Sequence, residues 1–193
     1  SLSVKYFLKE AEARLQKFAH AGLHYALYPW GVSKRQSLPS FYNLHKLRGG
    51  AVCKAEIVRG IGKALGMEVL VPKNATGDVD TDLFAKAEAT LELLEQYDFV
   101  VAHFNGTDEA AHRYDALEKV AFIERIDKEF LGTVLSAVQE PLKIVICGDH
   151  VTSSVTGKHD RGVVPVLAWS SEYATKKLEN YQDIIKFLMK ECD

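Results

Sequence analysis

Asp108, His112, Asp149, His150 and His159 are the residues whose types and spacing could do chemistry. Two carboxylates and three imidazoles suit one or two divalent cations such as Mn²⁺ or Zn²⁺. Asp108 and His112 stand at i and i+4, so on a helix both side chains project from the same face. Each group also follows a strand-like apolar run. Residues 99–104 give way to Asn105-Gly106-Thr107 just before Asp108, and residues 143–148 lead into Asp149-His150. Two strand ends can converge on one edge of a sheet, where open α/β sheets hold their ligands. A single Asp or His near a strand end is ordinarily a turn residue, a helix cap or a solvated side chain. The five in this order carry the cation reading as a set.

The elements that must position them follow from apolar periodicity. Residues 4–18 place Phe7, Leu8, Ala11, Leu15 and Phe18 near one helical face. Pro29, Gly31 and Pro39 break regular structure and predict a long connection over residues 28–43. Ala51-Val52-Cys53 is a short strand candidate, residues 56–65 a helix stopped by Gly66, and residues 67–71 a strand closed by Pro72. Residues 83–97 space Leu83, Ala87, Leu91 and Leu94 for burial, and a long helix spans about 116–138. Pro165 makes the run 163–169 an edge or bulged strand, and residues 181–190 form an amphipathic helix. Strands alternating with helices predict a largely parallel sheet covered on both faces.

The 193 residues suffice for one well-buried core, and residues 1–193 are expected to form a single domain with residues 1–27 as its N-terminal helix and lead-in. Apolar residues are 47% and charged residues 26%, which excludes a disordered chain, and the net charge of −2 offers no broad basic field for nucleic acid. No apolar run reaches bilayer length and no secretory signal opens the chain, so no membrane partner is expected. Cys53, Cys147 and Cys192 form no CxxC pair and suit free thiols in a reducing cytosol, hence a cytoplasmic location.

Further motifs carry a resemblance. Tyr28-Pro29-Trp30-Gly31 and Leu38-Pro39-Ser40-Phe41 are followed by Arg48-Gly49-Gly50-Ala51-Val52, Arg59-Gly60-Ile61-Gly62 and Ala75-Thr76-Gly77. With Asp108-Glu109-Ala110-Ala111-His112, Ile126-Asp127, Gly148-Asp149-His150 and His159, they resemble cofactor-independent phosphoglycerate mutases of the archaeal type. Those enzymes belong to the alkaline phosphatase superfamily, and the resemblance implies a three-layer α/β/α sandwich with two metal ions. It implies Asp108, His112 and His159 as ligands of one ion, and Asp149 and His150 as ligands of the other. Mn²⁺ or Zn²⁺ is implied, with Mg²⁺ compatible. Lys34 and Arg35 lie in the loop that, in the resemblance, approaches the phosphate of a small phosphorylated metabolite.

The implied activity is interconversion of 3-phosphoglycerate and 2-phosphoglycerate through a phosphoserine. The nucleophilic Ser and an N-terminal Asp ligand of that family have no counterpart here, and Ser40 lies outside the nucleophile motif. The chain therefore resembles the C-terminal portion of the catalytic domain, is expected to need the missing N-terminal half, and is expected to be inactive alone. Val151 replaces a usual Pro, and Gly106-Thr107 and Ala111 replace a usual Ala-Pro and Gly. Those departures keep open a phosphatase or phosphotransferase acting on another small metabolite, and a non-catalytic metal-binding module. Asp78 and Asp80 suit turn positions, and Arg59 with Lys63 a solvated helix face.

Overall fold

A computed structural model describes residues 2–18, 22–29, 36–172, 178 and 180–189. The chain divides into two compact units, Ser1–Ser37 and Leu38–Asp193. In the first, α1 (Leu2–Leu15) runs into a 3-10 turn at Gln16–Phe18. Of its expected apolar stripe, Leu8, Ala11 and Leu15 are half-buried, while Phe7 and Phe18 are exposed.

The second unit opens with α2 (Phe41–His45), where the Ser40 hydroxyl accepts from the backbone N–H of Asn43 at 3.1 Å. Ser40 is thus a helix cap. Then come β1 (Gly49–Val52), α3 (Glu56–Ala64), β2 (Glu68–Leu70), α4 (Leu83–Leu94) and β3 (Phe99–Ala102). The three strands form a parallel sheet in the order β2-β1-β3, with Ala51 opposite both Val69 and Val101. The chain leaves the central strand in one direction through α3 and reaches the other side through α4. Right-handed crossovers then put the two helices on opposite faces. The contacts agree. A Cβ on Gly50 would stand 3.0 Å from Leu93 of α4, whereas Ala51, pointing the other way, lies beneath Gly62 of α3. The result is a helix–sheet–helix layering, with a fully buried central strand whose small residues let both helices approach.

The main core lies where α4 meets a long helical rod. That rod is α6 (Ala116–Arg125), a π-helical segment (Ile126–Leu131) and α7 (Gly132–Ala137), and it fills the span expected of one helix. Leu83 and Ala87 of α4 pack with Phe122, Phe130 and Val134 of the rod. Phe104, just past β3, meets Phe130 edge-on at 4.8 Å, which ties the strand end to this core.

Later strands pair differently. β4 (Lys143–Cys147) is antiparallel to β7 (Val166–Ser170), and β5 (Val151–Ser153) is antiparallel to β6 (Lys158–Asp160). Among the described residues, parallel pairing is thus confined to β1–β3. Pro165, which has no N–H to donate, stands immediately before β7. α8 (Tyr181–Met189) follows. Among the described residues no helix is long and apolar enough to cross a membrane.

Candidate metal centre

The site is built around α5 (Gly106–His112), which starts where β3 and its following loop end. No side chain fits at Gly106. A Cβ there would stand 2.6 Å from the Phe122 ring and 2.8 Å from the Val79 backbone nitrogen. Asn105 Nδ2 donates to the Gly77 carbonyl at 3.3 Å and to Glu109 Oε1 at 2.9 Å, fastening the start of the helix. Its end is fastened by Arg113, which donates to both Asp78 oxygens at 2.8 Å and to Glu118 at 2.6 Å. The Arg113 guanidinium accordingly holds the Asp78 carboxyl below its usual range. Ala110 and Ala111 are fully buried and seat the helix, while Asp108 and His112, one turn apart, share a more accessible face.

Asp108, His112 and His159 bring one ligand atom each to within 4.8 Å of one another. His112 Nε2 lies 3.3 Å from Asp108 Oδ2, and His159 Nε2 lies 3.7 Å from Asp108 Oδ1. A tetrahedral ion with bonds of about 2.0–2.1 Å separates its ligand atoms by about 3.3 Å, so the spacing fits a shared cation. The hydrogen bonding fits as well. His112 Nδ1 is 2.8 Å from the Gly157 carbonyl, which can only accept, so Nδ1 carries the proton and Nε2 of the neutral ring offers a lone pair. That lone pair faces a carboxylate oxygen. Two acceptors at 3.3 Å suit a cation between them, and a backbone carbonyl on the other ring nitrogen is the usual support for a ligating histidine.

The other pair adjoins this triad. The His150 ring lies 4.0 Å from the His159 ring, and His150 Nε2 is 3.5 Å from Asp149 Oδ2. The Asp149 side chain is 81% exposed. His103 sits at the end of β3, where burial first and Lys86 second lower its pKa, and the Asp149 carboxylate opposes them. Lys86 itself is buried, donates to the His103 carbonyl at 2.7 Å and lies over the Phe104 ring at 4.8 Å. Burial brings its pKa down to about 8.

The structure therefore brings together Asp108, His112, His159 and His150, with Asp149 at the margin. Lys34 and Arg35 lie outside the described residues. Arg59 departs from the solvated role expected of it, since its Nε is buried and among the described residues has no hydrogen-bond partner. Three contributors escaped the sequence reading: Thr152, Gly157 and the β5–β6 hairpin that carries His159. Thr152 donates to Asp108 Oδ1 at 2.5 Å, and its hydroxyl lies 3.1 Å from His150 Nδ1. The signal in the sequence for this hairpin is the turn glycine Gly157, since Lys158-His159-Asp160 carries no strand pattern.

Comparison with known proteins gives a consistent set of relatives. The model of the Metalloenzyme superfamily matches residues 13–186. The chain is 38% identical over 160 residues to the 2,3-bisphosphoglycerate-independent phosphoglycerate mutase of Methanopyrus kandleri, covering 82% of this chain and 38% of that protein. To the enzyme of the same name from Saccharolobus islandicus it is 41% identical over 140 residues, covering 72% and 34%. Among solved structures it is similar to the PH0037 protein from Pyrococcus horikoshii, with a TM-score of 0.66 and 32% identity over 82% of this chain and 42% of that one. It shares the fold of the cofactor-independent phosphoglycerate mutase from Thermoplasma acidophilum, with a TM-score of 0.54 and 17% identity over 79% and 40%. The chain spans well under half the length of these relatives.

Proposed function

The chain belongs to the Metalloenzyme superfamily, and from that premise we propose that it forms the metal-holding part of a phosphoglycerate mutase. The convergence of Asp108, His112 and His159 on one point carries the proposal. These three would hold one divalent ion, and Asp149 with His150 would contribute to a second. Mn²⁺ or Zn²⁺ matches the mix of imidazole and carboxylate. When bound, such ions polarise phosphoryl oxygens and lower the pKa of a hydroxyl nucleophile.

The chain's own residues have separable tasks. Asp108 presents one oxygen to each side, toward His112 and toward His159. Gly157 orients the His112 ring through its carbonyl. Lys34 and Arg35 are assigned to the phosphate of 3-phosphoglycerate or 2-phosphoglycerate, where cations pair with phosphate oxygens. The serine that would carry the phosphoryl group, and the remaining acidic ligand, are assigned to polypeptide outside these 193 residues. The cytoplasm is the proposed location.

Two measurements test this. Metal analysis after loading the 193-residue chain with Mn²⁺ or Zn²⁺ should find one ion held firmly and a second weakly. Mutase assays should give no turnover with this chain alone and turnover with the intact protein. Failure to retain either ion would defeat the proposal, and robust turnover by the isolated chain would show that a nucleophile lies within it. Preferred turnover of another phosphorylated metabolite by the intact protein would replace mutase with phosphatase or phosphotransferase.

A further inference from the structure

We infer that Thr152 is the positioning residue that locks the two ligand groups together, its hydroxyl bridging Asp108 of one and His150 of the other. The inference rests on the metal-centre reading above and assigns a task to a residue outside the ligand set.

Thr152 is 5% exposed and lies mid-strand in β5, directly across the hairpin from His159. Its carbonyl accepts from Lys119 Nζ at 2.9 Å, which fastens the strand to α6. Its hydroxyl touches Asp108 Oδ1 at 2.5 Å and His150 Nδ1 at 3.1 Å. A threonine hydroxyl has a single proton, and an ionised carboxylate only accepts. The proton therefore points at Asp108. His150 Nδ1 faces an oxygen with no proton left to give, so the ring must donate from Nδ1. That sets the tautomer. Nε2 becomes the lone-pair nitrogen, and it is the atom 3.5 Å from Asp149 Oδ2. One hydroxyl thus restrains a carboxylate in the first group and aims an imidazole of the second. His112 has a carbonyl for the same purpose, whereas His150 depends on a side chain that substitution can remove.

The experiment compares wild type, Thr152→Val and Thr152→Ser by ring-nitrogen NMR of His150, at a pH where imidazoles are neutral, and by Mn²⁺ and Zn²⁺ titration. Wild-type His150 should be in the Nδ1–H form. Valine keeps the shape but removes the hydroxyl. It should abolish that preference and weaken ion binding by about 10–100-fold, the usual cost of losing a ligand's outer support. Serine should restore both. An Nε2–H form in the wild type overturns the inference without any variant, which covers the case where Thr152→Val fails to fold. Wild-type affinity and tautomer in Thr152→Val overturn it while leaving the metal reading intact. A wild-type chain that binds neither ion overturns the metal reading and this inference with it.

Discussion

The two halves of the proposed metal centre are held to different standards. Asp108 and His112 stand on a helix fastened at both ends, with Asp108 24% exposed and His112 oriented by a backbone carbonyl. Asp149 and His150 lie between β4 and β5, and Asp149 is 81% exposed. Backbone-held ligands lose little freedom when a cation arrives, whereas an exposed carboxylate must be ordered at that moment. The difference teaches that ligand number alone does not rank two sites. Pre-positioning favours the α5 group.

The largest effect should come from removing a ligand of the firm group. His159→Ala leaves two protein ligands and should weaken the tight ion by more than about 100-fold, beyond what outer-shell changes give. Asp149→Asn should act only on the weaker ion and leave the tight one within about twofold, as expected for a residue outside that ion's outer shell. Titration calorimetry of both variants checks this. Equal losses at both positions would break the asymmetry.

Gly157→Ala should have the next largest effect. Gly157 has φ +61, and a Cβ there would stand 2.8 Å from Tyr114 Cζ and 3.1 Å from the His112 carbonyl oxygen. The forced left-handed backbone should cost about 1–3 kcal/mol in a denaturant titration. Displacement of the carbonyl that orients His112 should lower tight-ion affinity by about 10–100-fold. An unchanged affinity would mean that the carbonyl does not set the ring.

Much of this was legible because it is periodic. Leu83 and Ala87 point into the core as their spacing requires, and the i, i+4 relation of Asp108 and His112 survives as one helical face. What escaped is short or non-periodic. β6 is Lys158-His159-Asp160, exposed along its length, so no apolar alternation marks it as a strand. The π-helical stretch within the rod has no signature distinct from a helix. The role of Asp78 was hidden because its partner Arg113 is 35 residues away.

Lys86 tests the support behind the end of β3, the strand that leads into α5, and here ion affinity should barely move. It is buried, donates to the His103 carbonyl and lies over the Phe104 ring, and among the described residues no carboxylate pairs with it. Burial lowers its pKa to about 8 from an ordinary 10.5. The folded chain then releases this proton before the unfolded chain does. Between those two values the unfolded state binds more protons, so stability rises with pH. Below about 8 the ammonium penalty is present in full, worth about 3 kcal/mol for a shift of this size. Lys86→Met should remove that dependence. Denaturation midpoints of wild type and variant across this pH range should converge as pH rises, once the constant contribution of the lost carbonyl hydrogen bond is subtracted. Parallel curves would show that Lys86 titrates normally and that the end of β3 does not depend on its burial.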